Sequence, residues 1–196
     1  KYTPKSFLEM TKLKLDDYVT ITSFTNEPFY KTFILDIPDN FSNGSFYNLP
    51  LDEFVNNIDN ALDKGYTLAL DADVSEKTFS SKYGVAVVPA NEADEKSIMT
   101  EIKTEKKITP EFRQQEFENF NTTDDHLMHI VGKVKDQKGT TYYKVKNSWG
   151  ADERQAVKKP LFPLKFLYFP ITTTQIKPFK KAVFLGCKFS LAENKL

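Results

Sequence analysis

Cysteine is nearly absent from this sequence: among 196 residues Cys187 stands alone, so no internal disulfide framework is possible and the redox compartment cannot be read from it. Net charge is absent too, with 27 basic and 27 acidic residues, which argues against a dedicated nucleic-acid surface. No apolar run approaches the roughly 18 residues of a membrane span, so no membrane partner is expected. The chain opens on Lys1 without a signal-like segment, and a start at Lys reads as a piece of something longer. What is present is ordinary globular composition, 40% hydrophobic and 28% charged, with an aromatic excess of 17 Phe and 9 Tyr. That length and composition fit one sizeable domain, or one and a part, with a proper core. Sequons at Asn40, Asn43 and Asn121 matter only if the chain is eukaryotic and secreted.

The balanced total hides a break. Residues 156–196 hold eight Lys and one acid, net +7, whereas residues 1–155 carry 19 basic and 26 acidic groups, net −7. We therefore expect a main unit over 1–155 and an atypical basic tail over 156–196, either divergent or read in a shifted frame.

Within the first unit the elements follow from pattern. Thr3-Pro4 caps a short helix carrying Phe7, Leu8 and Met10. YVTITSF (18–24) and FYKTFILDI (29–37) read as strands, and NFSNGS (40–45) as a turn. After Pro50, the spacing of Leu51, Phe54, Val55, Ile58 and Leu62 predicts a helix that Gly65 stops. YTLALDADV (66–74) is a strand, and residues 91–107 read as an exposed excursion. Thr109-Pro110-Glu111 opens another helix, with Phe112, Phe117 and Phe120 as candidate buried residues. HLMHIVGKVK (126–135) and TYYKVKN (141–147) flank DQKGT and predict a long hairpin.

That hairpin holds the informative chemistry. His126, Met128 and Gly132, followed across the turn by Asn147, Ser148, Trp149 and Gly150, resemble the histidine and asparagine strands of papain-like cysteine peptidases. The similarity is closer to the bleomycin hydrolase/aminopeptidase C branch, whose sequences resemble YTPKSF, YNLPLDEFV, LALDADVSEKTF and RQQEFENFNTTDDHLMH here, so that the likeness spans about residues 1–153. It implies His126 as acid/base and Asn147 as the group that orients its ring. Trp149, two residues on, shares a strand face with Asn147 if the strand continues, and the resemblance implies that it covers their hydrogen bond.

Other readings of these residues are weaker. His126 and His129 lie at an odd separation and point to opposite faces of a strand, so they cannot chelate one ion with Asp124 or Asp125. No metal or other cofactor is expected. His129 reads as structural, and Asp71 and Asp73, which share a face, stay unassigned. Papain-like enzymes order the chain Cys, His, Asn, with the Cys at a helix start. Cys187 follows Asn147 and sits among apolar neighbours in FLGCKF, so it reads as an inert buried thiol. No nucleophile is then present in this chain. The resemblance places it, with the oxyanion-hole Gln, in a Cys lobe before Lys1.

The expected fold is α+β: a papain-like His/Asn lobe, a twisted antiparallel sheet or partial barrel with two or three helices. The expected function is that of a cysteine aminopeptidase acting on peptide substrates and completed by the missing N-terminal Cys lobe. The competing class is a non-catalytic binding or assembly module. The resemblance implies a cytoplasmic location, with export as the alternative, and homo-oligomer formation is left open.

Overall fold

The computed structural model describes residues 1–12, 18–75, 77–80, 82–123, 126–147, 166–172, 175–176 and 186–189, with the backbone alone for Asp39 and for the last three runs. Three α-helices and eleven strands are present among them.

Helix α1 (Pro4–Thr11) is set by its ends. The Ser6 N–H donates to Thr3 Oγ1 and the Thr3 N–H to Ser6 Oγ, a reciprocal cap, and Lys12 closes the helix with φ 56°. None of its residues is buried. Helix α2 (Leu51–Asp63) instead owes its stability to burial: Leu51, Phe54, Val55 and Ile58 turn inward, as their spacing predicts, Ala61 is buried with them, and Leu62 is half-buried. Full burial of each large apolar side chain contributes about 1.5–3 kcal/mol. Gly65, at φ +84°, turns the chain out of the helix into strand β4 (Leu68–Ala72).

The core lies between α2 and the sheet, where Phe54 and Ile58 join Leu68, Leu70, Met128, Ile130, Tyr143 and Val145 in one cluster. The remaining strands are β1 (Thr20–Thr22), β2 (Thr32–Ile34), β3 (Ser45–Asn48), β5 (Phe79–Ser80), β6 (Val85–Ala86), β7 (His126–Lys135), β8 (Thr141–Lys146), β9 (Phe166–Thr172), β10 (Gln175–Ile176) and β11 (Gly186–Phe189). They follow the order β2-β3-β1-β11-β4-β7-β8-β9-β6-β5, with β10 added on β9. Pairing is antiparallel except for β1 with β3 and β6 with β9. Among the described strands the path ends at β2 and β5 without closing into a barrel. The architecture is α+β, as expected, and three of its strands come from residues 166–189.

Several local expectations need correction. The 29–37 run gives only a short strand, because Tyr30 takes a positive φ of 62° and leaves the extended region. Buried Asn48 anchors the preceding loop: its amide donates to the Phe24 and Glu27 carbonyls and accepts from the Phe24 N–H. The 91–107 segment is no free excursion. Ile98 is buried, and the chain returns to pair Pro89 with Glu105.

Helix α3 (Pro110–Glu118) departs furthest. Its buried residues are Arg113, Gln114 and Glu116, whereas Phe112 and Phe117 are half-buried and Phe120 is 83% exposed at φ +59°. The polar side chains reach backbone groups that phenylalanine cannot satisfy. Arg113 Nε donates to the Ser23 carbonyl at 2.6 Å and the guanidinium lies 5.0 Å over the Phe24 ring, while Gln114 Oε1 accepts from the Thr25 N–H. Phe117 does contribute, packing 4.6 Å from Phe24.

Candidate active site

Strands β7 and β8 pair over the predicted hairpin, with His129 opposite Lys146 and Ile130 opposite Val145. On β7, His126 shares a face with buried Met128 and Ile130, and its own partner across the ladder is Ala72 of β4. A register shift at Val131 then changes the facing, so that Lys133 pairs with buried Tyr143 and forms ion pairs with Asp59 and Asp63 of α2.

Asn147 follows β8 directly and continues the alternation of Tyr143 and Val145 towards the core face. Extending the His129–Lys146 pairing by one residue sets Asn147 opposite Met128, which makes it the diagonal neighbour of His126. The side chains meet: His126 Nε2 and Asn147 Oδ1 are 2.8 Å apart, both residues half-buried. An amide oxygen only accepts, so Nε2 carries the proton and Nδ1 is the ring atom through which a proton would transfer. Asn147 fixes the ring without adding a negative charge.

His129 keeps solvent access on the opposite face, and its imidazole is pushed below the ordinary range by partial desolvation of the ring among its neighbours and then by the Lys146 ammonium. The two histidines therefore cannot share one ion. Trp149, Ser148, Gly150, Asp124 and Asp125 lie outside the described residues. Cys187 lies on β11, paired with Leu70, and β4 separates that strand from β7. A cavity of about 480 Å³, lined in part by Val85, Val87, Ile98, Val134 and Tyr142, opens at the far end of the hairpin and includes neither His126 nor Asn147.

Asp71 and Asp73 carry no assignment from the sequence, and the structure gives Asp73 partners of its own. Asp73 is fully buried and both its oxygens accept hydrogen bonds from Ser75 and Thr123, so the two acids do not act as a carboxylate pair. The Asp-x-Ser spacing after a strand was the available signal for a local turn.

No curated protein is a significant match to the chain. Among solved structures, PepW of Lactobacillus rhamnosis HN001 (DR20) matches with a TM-score of 0.65 at 18% identity, covering 97% of this chain. That likeness concerns the fold, and this chain spans 39% of the length of the PepW chain. The profile of the Peptidase C1-like family matches residues 1–165, which include the whole hairpin, His126 and Asn147. The chain belongs to the Peptidase C1-like family.

Proposed function

We propose that this chain supplies the proton-transferring half of a cysteine aminopeptidase and that a thiolate from outside these residues completes the site. The observation that carries the reading is the 2.8 Å contact between His126 Nε2 and Asn147 Oδ1 within a Peptidase C1-like chain. In this mechanism an imidazolium at His126 holds the partner cysteine as thiolate. The sulfur attacks the scissile carbonyl carbon, the C–N bond breaks, and the leaving amine takes the proton from His126 Nδ1. Water then attacks the thioester, gives its proton back to Nδ1, and the thiolate departs. Asn147 keeps the ring aimed through both steps, and the covering role that the resemblance implies for Trp149 falls on a residue outside the described ones. The substrate is a peptide, trimmed from its amino end.

Cys187 is not the nucleophile in this reading, since it lies on a strand separated from β7 by β4. The test is hydrolysis of an aminoacyl fluorogenic substrate by the chain alone and after mixing with a separately produced Cys-bearing lobe. We expect no turnover from the chain alone and measurable turnover from the mixture. Activity of the chain alone that disappears with Cys187→Ser would overturn the reading. A mixture that binds the peptide without cleaving it would favour a non-catalytic binding module.

A further inference from the structure

The Asp73 carboxylate, wholly removed from solvent, sits one residue beyond Ala72, the ladder partner of His126. Its Oδ1 accepts from the Ser75 N–H and Oγ–H, both at 2.8 Å. Its Oδ2 accepts from the Thr123 N–H at 3.0 Å and from the Thr123 Oγ–H at 3.2 Å. One side chain thus joins the exit of β4 to the segment entering β7, three residues before His126. A buried carboxylate is costly unless its lone pairs are filled, and here four donors fill them. The cost of burying the carboxylate is therefore offset in part by Thr123, three residues before His126 in the chain.

We propose that Asp73 is a positioning residue for His126: the carboxylate staple between Ser75 and Thr123 holds the start of β7 so that the imidazole reaches Asn147. The catalytic importance of that pose rests on the function proposed above, whereas the staple itself does not. An asparagine at this position keeps the shape but offers one acceptor and one NH2 group. The NH2 group would face a backbone N–H, of either Ser75 or Thr123, that cannot turn into an acceptor. One anchor is then lost, and the ring should no longer hold a single orientation.

The chain has only two histidines, so its imidazole nitrogens are separable by 15N NMR. In its neutral form His126 should show a single tautomer, protonated on Nε2. In Asp73→Asn that signature should give way to a tautomer mixture, while the His129 signals stay in place. Asn40→Ala is the control, since it removes three hydrogen bonds from the turn before β3, a strand separated from β7 by β1, β11 and β4. It should lower the Tm and leave the His126 tautomer unchanged. If Asp73→Asn does not fold, Thr123→Val, which removes only the hydroxyl donor, should shift His126 in the same direction by less. A wild-type His126 signature in a folded Asp73→Asn or Thr123→Val chain would overturn the proposal, as would an equal change in Asn40→Ala. In the completed peptidase, Asp73→Asn should lower kcat roughly 10- to 100-fold with KM nearly unchanged. If the NMR result holds but no completed peptidase turns over, the staple stands and the catalytic reading fails.

Discussion

Replacing Asn147 with Ala deletes the acceptor 2.8 Å from His126 Nε2 and touches no other part of the proposed chemistry. The bond matters most when the ring carries its second proton, and a hydrogen bond to a charged partner contributes about 1.5–3 kcal/mol. At about 1.36 kcal/mol per tenfold in rate, turnover should fall roughly 10- to 150-fold. The effect belongs in kcat, because Asn147 orients the ring and does not hold the peptide, so KM should move little. His126→Ala removes the proton carrier itself and leaves the thiol mostly protonated near neutral pH, so its loss should exceed about a thousandfold. The assay is steady-state hydrolysis of an aminoacyl fluorogenic substrate by the chain joined to a Cys-bearing lobe, with folding checked by circular dichroism. Equal losses at the two positions, or a larger loss from His129→Ala, would refute the assignment.

Three further outcomes follow from the packing and the charges. Arg113→Ala should cost about 2 kcal/mol or more, since it abolishes a charged hydrogen bond to the Ser23 carbonyl in a buried setting, whereas Phe120→Ala should change stability by under about 0.5 kcal/mol; urea denaturation of both variants checks the contrast. Gly65→Ala should cost about 1–2 kcal/mol from backbone strain alone, because φ is +84° and no heavy atom lies within 4 Å of the added Cβ; a neutral result by thermal denaturation would contradict this. His129 has its pKa lowered in the folded state from the ordinary 6.5, first by partial desolvation of its ring and then by Lys146. The unfolded chain therefore binds more protons just below that value, and stability is lost as pH falls through it towards the native value. His129→Gln should flatten that segment of the Tm against pH curve, and an unaltered slope would show that His129 does not cause it.

The sequence was most readable where one local signal sufficed. Five apolar residues at helical spacing, with a glycine stop, placed α2 and its buried face. Two alternating runs around DQKGT placed the β7–β8 hairpin, whereas the meeting of His126 with Asn147 was implied by the family resemblance and not by alternation. Alternation could not announce the bulge at Val131, where one extra residue sends Lys133 towards the acids of α2. Helix α3 misled for a different reason: its phenylalanines look like anchors, but the groups awaiting partners in the β1 loop are backbone carbonyls and N–H groups, which Arg113 and Gln114 satisfy. Non-local pairing was the least legible feature. Nothing in GCKF indicates that it enters the sheet between β1 and β4, or that β9 separates β8 from β6. Asp73 was visible as an acid at a strand end, yet its role depends on Thr123, fifty residues away.

In the proposed function His126 and Asn147 serve a cysteine other than Cys187. An active-site-directed epoxide probe, applied to the polypeptide that joins this chain to a Cys-bearing lobe and followed by peptide mapping, tests it most directly. One labelled cysteine outside these 196 residues is expected, with labelling lost in His126→Ala and retained in Cys187→Ser. Label on Cys187, or labelling indifferent to His126→Ala, would contradict it.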